Sequence, residues 1–231
     1  RELATQDPQT QSRRLSVISG SPLPAGWVGK VWGLEQGYRA ATTASEADKT
    51  PDYYLLTDAD IAHDTGSLST LIRESEANRL ALNSRMAHLH CESRAERLLI
   101  PAFVLFFNLL YPMRKVNNPS SRVAAAAGGC VLVSGAALKA IGGFERLRSE
   151  IIDDVSLARA VANVNPRLRL AVSQSDVRSL RRYSGMTPIW RMVRRTAFDE
   201  LGYSWLKLAG TAATMLLLFV LPPAALALLA C

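Results

Sequence analysis

Tyr53-Tyr54-Leu55-Leu56-Thr57-Asp58-Ala59-Asp60-Ile61 is the stretch from which the rest of the chain is read. An apolar run of strand length delivers two carboxylates, one residue apart, to the point where the strand stops. Side chains at i and i+2 of an extended backbone share a side, so Asp58 and Asp60 are expected to converge on one small object. Hard divalent cations such as Mg2+ or Mn2+ take oxygen ligands of this kind and complete their shell with water and phosphate. An Asp-x-Asp at the carboxyl end of a strand therefore points to a metal-diphosphate site in an open α/β sheet. The same tripeptide also serves as a solvated turn, so the other motifs have to decide.

Toward the N-terminus, Leu15-Ser16-Val17-Ile18-Ser19 alternates as a short strand, and the Gly- and Pro-rich run 20–26 is a loop. A helix is expected from Val31 to about Ala44, with Val31, Leu34 and Tyr38 on one side. Gly29-Lys30 opens it, and free N–H groups at a helix start favour phosphate, so Lys30 is either a donor-binding cation or a surface lysine. Beyond Asp60, His63-Asp64-Thr65-Gly66 reads as a turn, in which His63 is solvated or assists a metal or diphosphate. Ser67 is expected to cap a helix running to about Ser75, and residues 81–90 alternate imperfectly as a strand.

A second acidic element lies downstream. Small residues, Ala124 to Gly129, lead into the strand Cys130-Val131-Leu132-Val133-Ser134, and Gly128 and Gly129 permit close backbone approach. A helix at 135–141 ends at Gly142-Gly143. Then Glu150-Ile151-Ile152-Asp153-Asp154-Val155 places two carboxylates before another helix. They are either an ordinary helix cap or, at a cleft mouth, a base that takes a proton from a hydroxyl nucleophile.

Charge and hydropathy set the surroundings. The net charge of +7 is concentrated between Arg178 and Lys207, with Arg181, Arg182, Arg191, Arg194 and Arg195, just ahead of an uncharged apolar tail. That is the juxtamembrane pattern of a cytoplasmic face. Nucleic acid is not the expected partner, since no zinc-finger spacing, aromatic RNA-binding strand or recognition helix accompanies the charge. Leu98 to Met113 is almost continuously apolar, shorter than a span, and flanked by Arg94, Arg97, Arg114 and Lys115, which fits an interfacial helix or a buried core helix. The tail from Leu208 is expected to be a transmembrane helix broken near Pro222-Pro223. Cys91, Cys130 and Cys231 are scattered and form no CxxC pair, which argues for a reducing compartment and against a thiolate zinc site. The polar opening without a methionine and the stop inside an apolar run lead us to expect an internal piece of a longer chain.

In order, Gly29-Lys30, Leu56-Thr57-Asp58-Ala59-Asp60-Ile61, Leu99-Ile100-Pro101-Ala102-Phe103, Ala127-Gly128-Gly129-Cys130, Ile152-Asp153-Asp154 and an Arg-rich segment before an apolar tail resemble the membrane-bound family 2 glycosyltransferases, most of all their hopene-associated branch. The resemblance covers about Trp27 to Tyr203. It implies an α/β domain of GT-A type, Rossmann-like with a mixed, mostly parallel sheet flanked by helices, over residues 1–205, with a truncated transmembrane segment over 206–231. It implies inverting transfer of a single sugar from a nucleotide-sugar donor to a hydroxyl of a membrane lipid, at the cytoplasmic side of the inner membrane. In that scheme Asp58 lies near the nucleotide and Asp60 binds the Mg2+ or Mn2+ on the diphosphate. Lys30 holds the donor, Asp154 is the general base beside Asp153, and Gly128 and Gly129 lie on the acceptor side. Asp153 stands where the family has glutamate, and Trp190-Arg191-Met192-Val193-Arg194-Arg195 replaces the Gln-x-x-Arg-Trp of processive relatives, which favours single transfer, with Arg191, Arg194 or Arg195 meeting the diphosphate.

Two rivals use the same residues. A haloacid-dehalogenase-like phosphatase would make Asp58 a nucleophile, completed by Lys139 and Asp153-Asp154, but Ala62 stands where such enzymes usually place Thr or Val. A membrane-anchored interaction module would keep the fold without turnover.

Overall fold

The computed structural model describes residues 16–44, 51–201 and 203–222. The chain forms a mixed α/β fold in which helices flank a four-stranded sheet. After helix α1 (Gly29–Ala44) come β1 (Tyr53–Thr57), β2 (Ile61–His63), α2 (Ser67–Asn78) and β3 (Leu82–Met86). The apolar helix α3 (Arg94–Leu110), the short α4 (Met113–Val116), β4 (Cys130–Ser134) and α5 (Gly135–Ala140) follow. The remainder is α6 (Asp153–Val164), β5 (Leu168–Val172), β6 (Val177–Ser179), α7 (Met186–Glu200) and α8 (Trp205–Met215), continued by a π-helical turn at Leu216–Val220.

The sheet order is β1-β4-β3-β5. β3 and β5 pair parallel, whereas β4 runs antiparallel to both neighbours. Three strands thus point one way and one is inserted against them, so by direction the sheet is mostly parallel and by hydrogen bonding it is mixed. The reversed strand matters for the site: it starts where β1 ends, with Thr57 opposite Cys130, so Asp58 and the glycines before β4 meet at one edge. β2 and β6 form a separate ribbon beside that edge.

The core forms where the sequence is apolar at both faces of the sheet. Val131, Val133 and Leu170 are buried with Leu138, Ile141 and Phe144 in one cluster, and Leu132 with Leu71 and Val177 in another, each burial of such a side chain contributing ~1.5–3 kcal/mol. β3 is buried along its whole length although it reads Leu-Asn-Ser-Arg-Met. Its polar groups are satisfied: Asn83 donates to the Leu71 carbonyl (3.2 Å), and the Arg85 guanidinium pairs with Glu74. The free edge of β5 is closed by Asn117, which accepts from the Leu170 N–H (2.7 Å) and donates to its carbonyl (3.1 Å) as a neighbouring strand would. Burial pushes the Cys130 thiol up to about 11, so it stays protonated within the core.

Several expectations need correction. Ser16–Ser19 make no strand and lie exposed, because no neighbouring strand offers them a ladder; Leu15 is outside the described residues. Ser67 does not cap α2. Gly66, at φ 92°, is the N-cap, and Ser67 is buried in the first turn. The reading of Leu98 to Met113 as a buried core helix also fails: in α3 only Glu96 and Ile100 are buried, and Leu98 and Leu105 are 67% and 53% exposed. Among the described residues the one helical run long and apolar enough to cross a membrane is Arg94–Val116. The described part of the C-terminal tail is helical with exposed apolar side chains, and its continuation from 223 lies outside the described residues.

Candidate functional site

Four elements deliver side chains to one cleft of about 200 Å3: Lys30 from α1, Asp58 from the end of β1, Gly128 from the lead into β4, and Asp153 and Asp154 from α6. Each is held by a local device. α1 is fixed at its start by the Val28 N–H on the Arg148 carbonyl (2.6 Å), and along its length by buried Glu35, which accepts from the Phe144 N–H (3.1 Å). Gly143, at φ 69°, lets this loop pass: a Cβ there would sit 2.9 Å from the Tyr38 ring. Ser84 of β3 grips the strand lead, its hydroxyl accepting from the Ala127 N–H (2.9 Å) and donating to the Ala127 carbonyl (3.2 Å). The Thr57 hydroxyl donates to the Gly129 carbonyl (3.1 Å) and joins β1 to the same loop.

Lys30 is the central cation, its Nζ 3.1 Å from Asp58 and 3.2 Å from Asp153. Burial pulls its pKa down, but Asp153 and Asp58 outweigh that and the net shift is upward. Asp153 and Asp154 are the first two residues of α6; Ile152 is the N-cap, without a side-chain bond. Neither acid is thus the N-cap itself, although Asp154 does satisfy one donor of the first turn, the Val155 N–H. Asp154 turns into the cleft and accepts from the Gly128 N–H (2.7 Å) and from its neighbour's N–H at Val155 (3.0 Å). Burial, and then the charge of Asp153, push Asp154 up to about 6 against the pull of Lys30 and the two amides. A carboxylate poised there suits proton transfer near neutral pH.

The two acids of the Asp-x-Asp do not lie side by side on a strand. β1 ends at Thr57, and Asp58 to Asp60 form a tight turn closed by the Ile61 N–H on the Asp58 carbonyl (3.2 Å). Asp58 faces Lys30, whereas Asp60 pairs with Arg181 (2.8 Å) and is not part of the cleft lining. A side-chain hydrogen bond with Tyr183, and then the charges of Asp60 and Asp58, raise the Arg181 pKa further despite burial. Among the described residues no three His, Cys, Asp or Glu side chains gather as a metal site. Two carboxylates from one turn are oxygen donors of the kind Mg2+ or Mn2+ takes, although here each faces a basic side chain, Asp58 Lys30 and Asp60 Arg181.

The other expected residues separate. Gly128 faces Asp154, so close that a Cβ would lie 3.1 Å from its Oδ2, and Gly129 packs on Ile61 instead of lining the cleft. His63 Nε2 lies 2.8 Å from the Thr57 hydroxyl, on the β2 side of the turn. Arg191 lines a second, basic cleft with Arg181, Arg182 and Tyr183. Arg194 is exposed, and the Arg195 side chain is outside the described set. Lys139, required by the phosphatase reading, is exposed on α5 and does not line the cleft. Between α3 and α7 runs an apolar groove of about 600 Å3, lined by Leu99, Phe103, Phe106, Ile189 and Trp190 among others.

Arg181 is the residue sequence reasoning missed, because it was absorbed into a general basic collar. The family model for Glycosyl transferase family 21 matches residues 22–230. No curated protein matches the chain significantly.

Proposed function

This chain belongs to glycosyl transferase family 21, and from that premise we propose that it moves a single sugar, with inversion, from a nucleotide-sugar donor to a hydroxyl of a membrane lipid. One observation carries the reading: acids from separate parts of the chain, Asp58 on one wall and Asp153 and Asp154 on the other, share a cleft with Lys30 between them. Glycosyl transfer needs an anion-holding side and a base-bearing side within one sugar's reach. In this reading Asp154 accepts the proton of the acceptor hydroxyl as its oxygen attacks the anomeric carbon. The bond to the diphosphate breaks on the opposite face, and the configuration inverts. The Gly128 and Val155 amides leave each Asp154 oxygen a second lone pair for that proton.

On the donor side, Lys30 lies against Asp58 as a cation for the diphosphate, with Arg181 beside Asp60. A divalent cation held by Asp60 and Asp58 would neutralise charge on the departing diphosphate. Arg191, in the basic cleft with Arg181, is a further diphosphate contact in this reading, with Arg194 and Arg195 farther along α7. The lipid acceptor, hopanoid-type in the branch the sequence resembles, is supported by the apolar α3–α7 groove and by the exposed apolar face of α3. We read residues 1–205 as the catalytic domain at the cytoplasmic membrane face and the tail as its membrane segment.

The test places the full-length protein in membranes with a panel of labelled nucleotide sugars and Mg2+ or Mn2+, and follows label into extracted lipid. Transfer from at least one donor, lost in Asp60→Ala, is the expected result. Hydrolysis of nitrophenyl phosphate without any sugar transfer would replace this reading with the phosphatase.

A further inference from the structure

Arg181 reaches Asp60 from a segment with no regular structure of its own, between β6 and α7. At its upstream end the segment is pinned by the Leu180 N–H on the Asp60 carbonyl (2.7 Å) and by Ser179, whose N–H bonds to the His88 carbonyl (2.9 Å). Downstream, the Tyr183 N–H has a single acceptor, Oε1 of Glu96 at 2.8 Å. Glu96 comes from the first turn of α3 and is 1% exposed. Its other contacts are the Ser93 N–H (2.8 Å) and Glu92 N–H (3.1 Å) on Oε2, and His90 Nδ1 (3.1 Å) on Oε1. The Tyr183 N–H and then the Ser93 N–H hold its pKa far below the usual carboxylate range.

A capping box explains only part of this arrangement. Ser93 and Glu96 cap α3 reciprocally, and that role occupies Oε2. Oε1 faces the other way, onto Tyr183 and His90. Only a carboxylate presents acceptors on both sides; an amide in its place would turn an NH2 group against one set of N–H donors.

We infer that Glu96 is a positioning residue that holds the 180–185 segment so that Arg181 stays on Asp60, linking the root of α3 to the donor side of the cleft. The inference rests on the reading of Asp60 as a donor-side acid. The Tyr183 ring completes the link, since its hydroxyl makes the side-chain hydrogen bond with Arg181 and also lies 3.0 Å from the Met192 sulfur. None of these three residues touches the reacting atoms in this scheme except Arg181, through the diphosphate.

Two measurements on the full chain in detergent test it, the first independent of any sugar chemistry. Limited trypsin digestion at native pH should cut Glu96→Gln after Arg181 or Arg182 at least about tenfold faster than wild type, because local opening governs such cleavage. Titration with Mg2+-pyrophosphate should show affinity weakened by roughly tenfold in Glu96→Gln, by a similar factor in Arg181→Ala, and little further in the double variant, as coupled residues behave. Tyr183→Phe leaves every acceptor of Glu96 filled and should weaken pyrophosphate binding without the proteolytic change. Equal cutting rates for Glu96→Gln and wild type would overturn the latch. Fast cutting with additive or absent effects on pyrophosphate would overturn the positioning role. If wild type bound no Mg2+-pyrophosphate, the donor-side reading of Asp60 would fall and the positioning role with it, while the digestion would still decide whether Glu96 pins the segment. Should Glu96→Gln not fold, unchanged pyrophosphate binding in Tyr183→Phe would overturn the link.

Discussion

The two acidic pairs of this protein, Asp58/Asp60 and Asp153/Asp154, are chemically the same four side chains placed in opposite circumstances. Asp58 and Asp60 sit on a turn at the sheet edge, 40% and 32% exposed, each against a long basic side chain. Asp153 is 15% exposed, and Asp154 is fed by backbone amides from two different elements. Carboxylates held by flexible, part-exposed basic side chains can exchange them for a metal ion at small cost, which frees those side chains for a diphosphate. A carboxylate buried beside a like charge is instead kept at a raised proton affinity, of the kind that suits a general base. On the proposed reading, environment and not residue type separates a binder from a base.

Breaking the comparison at its strongest point means removing the proposed base. Asp154→Asn should lower transfer by roughly 10²–10⁴-fold while leaving Mg2+-dependent nucleotide binding by calorimetry near wild type; retained turnover would move the base elsewhere. Lys30→Met, which deletes the cation shared by both pairs, should weaken donor binding by about tenfold, as loss of a charge-assisted contact does. It should also move the acidic limb of the pH–rate profile upward, because Lys30 is the largest of the groups that lower Asp154. Asp153→Asn should move that limb downward from about 6, since the charge of Asp153 helps raise it. Opposite shifts from the two variants would sharpen the assignment, and shifts of the same sign would break it.

Smaller effects follow from packing and linkage. Gly128→Ala puts a methyl group 3.1 Å from Asp154 Oδ2 and should reduce kcat several-fold, on the order of 1 kcal/mol, with donor KM unchanged. Because Asp154 is raised to about 6 in the folded chain, the folded state keeps a proton that the unfolded chain releases near 3.8, the ordinary value for an aspartate. This group therefore favours folding most below pH ~4, and that contribution is lost as pH rises to ~6. Denaturant midpoints across that range should fall more steeply with pH in wild type than in Asp154→Asn.

Much of the scaffold was legible in the sequence, and the failures have physical reasons. β1, β4, α5 and α6 follow from short apolar runs bounded by acids and glycines, signals that local sterics enforce. Leu15 to Ser19 carries the same alternation but meets no partner strand, and alternation does not encode pairing. Asp58 and Asp60 were expected on one side of a strand, but the chain turns between them, which i, i+2 spacing does not reveal. Ser93-Arg94-Ala95-Glu96 did carry a readable capping-box signature; its outward half, facing Tyr183, depends on residues almost ninety positions away and has no local trace. The α/β class and glycosyltransferase kinship were readable because the motifs come in order, which no single tripeptide supplies.

The course of α3 bears on how the proposed contact with a bilayer would be made. Its first turn is rooted by Glu96 and Ile100, and just past its end Tyr111 and Val116 return to the main core. Nothing between those moorings is buried, and Pro101, which has no N–H to donate, stands near the first of them. A rod threading the full hydrocarbon thickness would carry its two ends to opposite aqueous phases, about 30 Å apart. Both ends here are anchored in one folded body, by Glu96 and Ile100 at the start and by Tyr111 and Val116 just past the end. On the membrane reading we propose, such a rod would float lengthwise like a keel, with the cleft carried above the lipid surface.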